Sequence, residues 1–255
     1  MRIFLAGATG VVGLRLAALS RELGHQVSGT TRSHAKVALL QAVGITPIVV
    51  DVLDCGAVLD AVETVRPDVI IHQLTDLRSP PGSPGYPAAQ EANRRLRIEG
   101  TRNLVQAASR TRVRRVIAQS IAFIYMGSDG PHHEDDPLEV AAGGTRQLTV
   151  QGILALEHDV LRTPDIAGTV LRYGYLYGPG TWYAAVPKPP SIHADAAAHA
   201  AVLAVSRGGG VYNIAEDDGA VSIAKARREL GFDPAFRLPE RIARELQTIR
   251  SLPTK

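Results

Sequence analysis

Gly7-Ala8-Thr9-Gly10-Val11-Val12-Gly13 stands directly after the apolar run Ile3-Phe4-Leu5-Ala6 and directly before Leu14-Arg15-Leu16-Ala17-Ala18-Leu19. A glycine-rich turn joining a buried strand to a helix is a phosphate cradle. The helix N-terminus presents unpaired backbone N–H groups and roughly half a positive charge, and glycines admit a pyrophosphate that any Cβ would hold off. Here the glycines recur every third residue, a spacing different from G-x-G-x-x-G. Gly7, Thr9, Gly10, Val11, Val12 and Gly13 are the first candidate cofactor-binding residues.

Outward from this turn, apolar strand-like runs alternate with longer amphipathic segments. That alternation predicts an α/β fold, a Rossmann-like, doubly wound, mostly parallel sheet. Strands are expected near Ile3 to Ala6, Gln26 to Thr30, Thr46 to Val50, Val69 to His72, Val116 to Gln119 and Thr169 to Tyr173. Ala57 to Val65 reads as a crossover helix. Glu91 to Arg110 reads as one long helix, with Leu96, Ile98, Leu104, Val105 and Ala108 partly at helical spacing. Ser79-Pro80-Pro81-Gly82-Ser83-Pro84-Gly85-Tyr86-Pro87 reads as a surface loop near the ligand cleft.

Composition narrows the classes. A chain of 255 residues can bury one large α/β core, or one core with a small cap. Nowhere do about 18 apolar residues run together and no basic leader precedes the first strand, so the expectation is a cytoplasmic protein without a membrane partner. Cys55 is single, which excludes an internal disulfide, and it reads as a bystander. The formal charge of +3 does not make a nucleic-acid surface, because the arginines are scattered. Arg110, Arg112, Arg114 and Arg115 read as a helix end and a strand start.

The end of the second strand reads the cofactor. Folds that prefer NAD place a carboxylate there for the ribose 2′-OH, whereas this chain has Ser28-Gly29-Thr30-Thr31-Arg32-Ser33. Arg32, with Thr31, Ser33 and Lys36, suits a 2′-phosphate, which favours NADP over NAD. Asp51 and Val52, past the third strand, are placed to meet an adenine edge, with a turn or capping aspartate as the competing reading.

The glycine turn, Thr30-Thr31-Arg32, Asp51-Val52, Val69-Ile70-Ile71-His72 and Leu171-Arg172-Tyr173-Gly174-Tyr175-Leu176-Tyr177-Gly178-Pro179-Gly180 together resemble the extended and atypical short-chain dehydrogenase/reductase superfamily, in its NAD-dependent epimerase/dehydratase branch. The resemblance covers most of the chain. It implies an NAD(P)-binding Rossmann domain over residues 1–178 and a reduced C-terminal substrate cap over 179–255, interleaved with the last strand and helices. Gln73, Leu74, Ser120 and Tyr173 join the candidate cofactor contacts. A homodimer through the Glu91 to Arg110 helix is implied by analogy with the superfamily.

Chemistry in this superfamily depends on a Ser or Thr after the fifth strand and a Tyr-x-x-x-Lys on the next helix, where the lysine lowers the phenol pKa. Alignment puts Ile121 at the Ser/Thr position with Ser120 beside it, Thr149 at the tyrosine and Ile153 at the lysine. Neither Thr149 nor Ile153 can run that proton relay. Ser120, Tyr125, Tyr175 and His193 are the remaining catalytic candidates, although buried tyrosines usually pack and His193-Ala194-Asp195 also reads as a helix-start cap. His132-His133-Glu134-Asp135-Asp136-Pro137 resembles a family loop over the cleft, and adjacent ligands on one loop seldom converge, so no metal is expected. Trp182-Tyr183 reads as a stacking surface or a loop pin.

The expected function is NADP-dependent action on a small carbonyl or alcohol by a non-standard proton relay. Two alternatives stand beside it: a non-catalytic NADP-binding sensor or scaffold, and a nucleotide-sugar epimerase or dehydratase. A reduced cap favours a small or elongated substrate over a bulky one.

Overall fold

Short runs enriched in Val, Ile and Thr become the strands. The computed structural model, which describes residues 1–127 and 130–250, assembles them into a seven-stranded parallel sheet. Its strands are β1 (Arg2–Ala6), β2 (Gln26–Thr31), β3 (Thr46–Val49), β4 (Val69–His72), β5 (Arg115–Ile121), β6 (Ala167–Tyr173) and, after two short strands, β9 (Gly210–Ile214). The order is β3-β2-β1-β4-β5-β6-β9. The chain order reverses between β1 and β4, so a crevice opens there at the carboxyl ends of the strands.

The period of two along each strand divides the core between the two faces. Ile3, Leu5, Val69, Ile71, Ile117 and Leu171 point to one face, which is covered by α1 (Val11–Glu22), α2 (Val37–Ala42) and α7 (Ala194–Ser206), all packed into the same apolar cluster. Phe4, Ala6, Ile70, Val116, Ala118 and Val170 point to the other. There they meet α3 (Cys55–Val65), α5 (Thr101–Thr111) and α6 (Gly144–Arg162). Burial on both faces explains why these strands read as continuous apolar runs.

The long helix departs from expectation in two ways. It starts earlier, at Tyr86, because Pro87 lies in the first turn, where its missing N–H removes no helical bond. It is also interrupted: α4 (Tyr86–Arg95) passes through a π turn, Leu96–Gly100, into α5. The arginine cluster falls as expected, with Arg112 closing α5 at φ 62° and Arg115 opening β5.

Two short strands, β7 (Tyr175–Tyr177) and β8 (Ser191–His193), pair in parallel beyond the sheet. Residues 179–255 also supply α7, β9, α8 (Ala224–Leu230) and α9 (Glu240–Arg250), and β9 pairs with β6 inside the main sheet. The C-terminal segment therefore completes the sheet as well as bordering the cleft. Among the described residues, no helix is long and apolar enough to cross a membrane.

Candidate functional site

A cleft of about 1020 Å³ runs across the carboxyl ends of β1, β2, β4, β5 and β6. One end is the glycine turn. Gly7 adopts φ +89°, where an L side chain is strained, and its N–H donates to Thr30 Oγ1 at 3.2 Å. Gly10 precedes α1 without offering a capping side chain, and the first turn carries no acidic residue. The positive end of the helix is thus left open toward the cleft, lined by Thr9, Gly10, Val11 and Val12.

Gly13 does not line the cleft. A Cβ there would come 2.2 Å from the Gly7 carbonyl oxygen, so its bareness lets α1 pack against the turn. Beyond the cradle lie Thr31, Arg32, Ser33 and Lys36 from the end of β2, together with Val52, Gln73 and Leu74. Asp51 is displaced from the expected set: its carboxylate is exposed and accepts from the Leu53 N–H at 3.0 Å, a turn aspartate outside the cleft lining.

Gln73 carries a sharper signal. Its Nε2 donates to the Tyr173 hydroxyl at 3.2 Å, while its Oε1 is buried without a hydrogen-bond partner among the described residues. An unpaired buried acceptor in a cleft wall is costly and would be completed by a ligand donor. An open helix terminus, a cationic β2 end and this acceptor fit the phosphates, the adenosine ribose and the polar far half of a nicotinamide dinucleotide.

The opposite end is built by α4, the π turn and α6. Tyr86, Gln90, Asn93 and Arg97 recur at intervals of four, three and four, so they share one helix face, and all four line the cleft. Gln90 Oε1 accepts from Thr149 Oγ1 at 2.9 Å. Asn93 clamps the Asp76 backbone, accepting from its N–H at 2.5 Å and donating to its carbonyl at 3.0 Å. Phe123 and Tyr175 stack with centroids 4.0 Å apart and planes 5° off parallel, while Trp182 and Tyr183 line the exposed rim.

Among the described lining residues there are six cations, Arg32, Lys36, Arg78, Arg97, Arg146 and Lys188, against one carboxylate, Asp76. Asp76 is held by Arg78 at 2.9 and 2.6 Å, and those bonds lower its pKa from the ordinary carboxylate value. The cleft therefore presents a net positive field to its ligands.

The expected catalytic groups divide. Ser120 reaches the cleft, but its hydroxyl donates to Glu157 Oε1 at 2.6 Å. Tyr175 lines the cleft through its stacked ring, and Thr149 lines it with its hydroxyl given to Gln90. Ile153 is buried against Ile121 and Ile124, away from the lining. Tyr173 faces the cleft, and burial, opposed only by the Gln73 bond, raises its pKa above that of a free phenol.

Tyr125 and His193 lie elsewhere. The Tyr125 hydroxyl donates to Asn213 Oδ1 at 2.6 Å and accepts from Arg172 Nη1 at 2.8 Å, beneath the cleft floor. His193 caps α7, its Nδ1 accepting from the Asp195 N–H at 3.2 Å, and Asp195 itself holds Arg15 at 2.6 Å. Hydrogen bonding to the protein holds the Tyr125 hydroxyl in the interior and the His193 Nδ1 at the half-buried start of α7.

The loop at 131–137 also packs away from the cleft lining. Glu134 Oε1 accepts from the Asn213 N–H at 2.9 Å, and His132 stacks on Tyr125 and contacts Asp136 at 3.3 Å. Cys55 is exposed at the start of α3, with Sγ 3.6 Å from Gln106 Oε1.

Residues 3–203 match the model of the family described as "NAD dependent epimerase/dehydratase family". A "3-diazoavenalumate denitrifying reductase" from Streptomyces sp is 39% identical over 271 residues, covering 96% of this chain and 87% of that protein. UDP-glucose 4-epimerase of Thermotoga maritima, solved with UDP-glucose, has a TM-score of 0.75 at 17% identity, covering 98% of this chain and 99% of its own. The Thermus thermophilus UDP-glucose 4-epimerase, solved with NAD, has a TM-score of 0.71 at 16% identity, covering 98% and 99%. With a seven-stranded parallel Rossmann-like sheet and this match over most of its length, the chain belongs to the NAD dependent epimerase/dehydratase family.

Proposed function

We propose that this protein is an NADPH-dependent reductase that replaces a diazonium group on a small carboxylated arene with hydrogen. One observation carries the reading: of the side chains considered for moving a proton, only Tyr175 stays in the cleft with no hydroxyl bond among the described residues, its ring stacked on Phe123, while the others are bonded to the protein or lie outside the cleft. Ser120 donates to Glu157, Thr149 donates to Gln90, Tyr125 is held by Asn213 and Arg172, and His193 caps α7. Carbonyl reduction needs a hydride and a proton. An arenediazonium ion needs only the hydride, whose electron pair forms the new C–H bond while N2 leaves with the C–N pair. The 39% identity to a protein described as a denitrifying reductase of a diazo compound supports the same chemistry.

A reduced nicotinamide would supply that hydride. The chain's own part is binding and exclusion of water. The α1 terminus and glycine turn receive phosphates, and Arg32, Ser33 and Lys36 receive the 2′-phosphate that distinguishes NADPH. Gln73 Oε1 accepts a ligand donor, and the Phe123–Tyr175 stack gives a flat arene a surface. Positioning of this kind lowers a barrier by several kcal/mol, of the order that oriented reactants provide.

The test is turnover of a carboxybenzenediazonium ion with NADPH deuterated at C4, against a protein-free control. The expected product carries deuterium at the carbon that bore nitrogen, with N2 released in equal amount. Unlabelled NADPH in D2O should leave that position undeuterated. Solvent-derived deuterium, or no acceleration over the control, overturns the reading.

A second reading is reduction of a carbonyl with Tyr175 as proton donor. It is favoured by Lys188, whose Nζ lies 5.2 Å from the centre of the Tyr175 ring. Under it Tyr175→Phe abolishes turnover, whereas under the first reading the stacked ring survives and turnover falls by no more than about threefold.

A further inference from the structure

Arg97 is buried, 7% exposed, and lines the cleft, yet it has no hydrogen-bond or ion-pair partner among the described residues. A guanidinium offers five N–H donors; with its stem buried and no protein partner among the described residues, Arg97 presents them to the cleft, where an anionic ligand can take them up. The surroundings are arranged to keep it there. Arg97 belongs to the π turn, an insertion that recurs at functional positions in helices, and the neighbouring Ile98 is only half-buried although it is the apolar residue. Opposite it, α6 carries Gly152, where a Cβ would come 3.1 Å from Arg97 Cδ and 3.2 Å from Arg97 Cβ. The bare backbone of α6 thus makes room for the arginine stem.

No internal anion relieves the charge. Burial first, and then the charge of Arg146, a second cation, push the Arg97 pKa down to about 10 against a smaller opposing effect of Tyr86, which leaves it charged at neutral pH. Arg146 itself is satisfied: it bonds Glu139 Oε2 at 2.9 and 2.7 Å and the Phe123 carbonyl at 2.7 Å. Its guanidinium lies 5.9 Å from the centre of the Phe123 ring, which ties the Arg97 side of the cleft to the Phe123–Tyr175 stack.

We propose that Arg97 is the carboxylate anchor of the substrate, pairing with the acid group of an arene whose ring lies along the Phe123–Tyr175 side. The cofactor pyrophosphate is a less suitable partner, because its cradle is the glycine turn before α1, whereas Arg97 stands with Gln90 and Thr149 between α4 and α6. The assignment rests on the reductase reading for the class of substrate, and its test is a binding measurement that needs no turnover.

The protein loaded with NADP⁺ is titrated calorimetrically with 3-(4-hydroxyphenyl)propenoate and with the corresponding amide. Wild type should bind the acid at least about tenfold more tightly than the amide. Arg97→Gln should lose about tenfold to a hundredfold of acid affinity while keeping its affinity for the amide and for NADP⁺, and Arg97→Lys should recover part of the loss. Equal binding of acid and amide by wild type, no detectable acid binding, or a loss in Arg97→Gln confined to NADP⁺ overturns the proposal. The wild-type comparison stands even if the variants fold poorly. Acid preference without turnover of a diazonium ion would sink the reductase reading alone, and turnover without acid preference would sink the anchor alone.

Discussion

Arg172 and Glu157 meet face to face beneath the cleft, with Arg172 Nε 3.0 Å from Glu157 Oε1 and Nη2 2.7 Å from Oε2. The pair joins β6 to α6 and is extended on both sides, since Ser120 donates to Glu157 while Arg172 Nη1 reaches Tyr125 and the Glu134 carbonyl. Burial would lower the arginine pKa, but the Glu157 bonds outweigh it and the net shift is upward. The network fixes the ends of β5 and β6 where the cleft begins. It also fixes Ser120 as a donor to protein rather than to ligand.

Removing the charge of Glu157 while leaving Arg172 in place should therefore be severe. Glu157→Gln is expected to lower the unfolding free energy by about 3 to 5 kcal/mol, because an uncompensated guanidinium would remain buried. Replacing both residues by methionine should recover much of that loss, since neither charge then needs a partner. Urea unfolding midpoints of the two variants and wild type measure it. A double variant no more stable than the single one would show that the pair is not the unit of stability.

The fold was legible because its signals are local. The Gly7 to Gly13 turn and the apolar run of each strand lie within a few residues of what they control. The end of the cleft lined by this turn and by the β2 end was legible for the same reason. The other half did not, since Arg97 meets Gly152 and Gln90 meets Thr149 only through packing of α4 and the π turn on α6. A signal did exist in Tyr86, Gln90, Asn93 and Arg97, a polar stripe at helical spacing. It is masked by the apolar spacing of Leu96, Ile98 and Leu104, and the π turn shifts the phase between them. The Tyr125 and His193 expectations gave way to partners 88 residues away and two residues away respectively, the first of which no local pattern encodes.

If Arg32 recognises a 2′-phosphate, Arg32→Ala should weaken NADPH binding by about tenfold or more and NADH binding by less than twofold. Raising salt should shrink the difference, because Arg32 is exposed and its charge is screened. Equal losses for both dinucleotides in calorimetric titration would remove Arg32 from that role.

Tyr125→Phe and His193→Ala separate structure from chemistry. Both side chains stand outside the cleft lining, so turnover per folded molecule should stay within about threefold of wild type for either variant. Stability should fall instead, by about 1 to 2 kcal/mol in each case, through the lost bond to Asn213 or the lost α7 cap. Steady-state kinetics on protein whose folded fraction is known decides the matter, and a hundredfold drop in turnover would restore the residue concerned to the catalytic set.

His72 gives the protein an acid limit. The ring lies at the end of β4, fully buried, with Nδ1 accepting from the Leu74 N–H at 3.1 Å, which leaves Nε2–H to donate to Thr101 Oγ1 at 3.1 Å. Burial first, and then the Arg97 charge, push its pKa down to about 4 from an ordinary 6.5. Below 6.5 the unfolded chain takes up a proton that the folded one refuses, so this contribution to stability is fully present above that pH and is lost as the pH falls toward 4. By pH 5 the loss should reach about 2 kcal/mol, and it should approach about 3 kcal/mol at the lower limit. His72→Gln keeps polar atoms at the site without the titration, so its stability should fall less than that of wild type between pH 7 and pH 5, by about that 2 kcal/mol. Denaturant unfolding at the two pH values reads the difference directly, and parallel losses in the two proteins would assign the acid sensitivity to other groups.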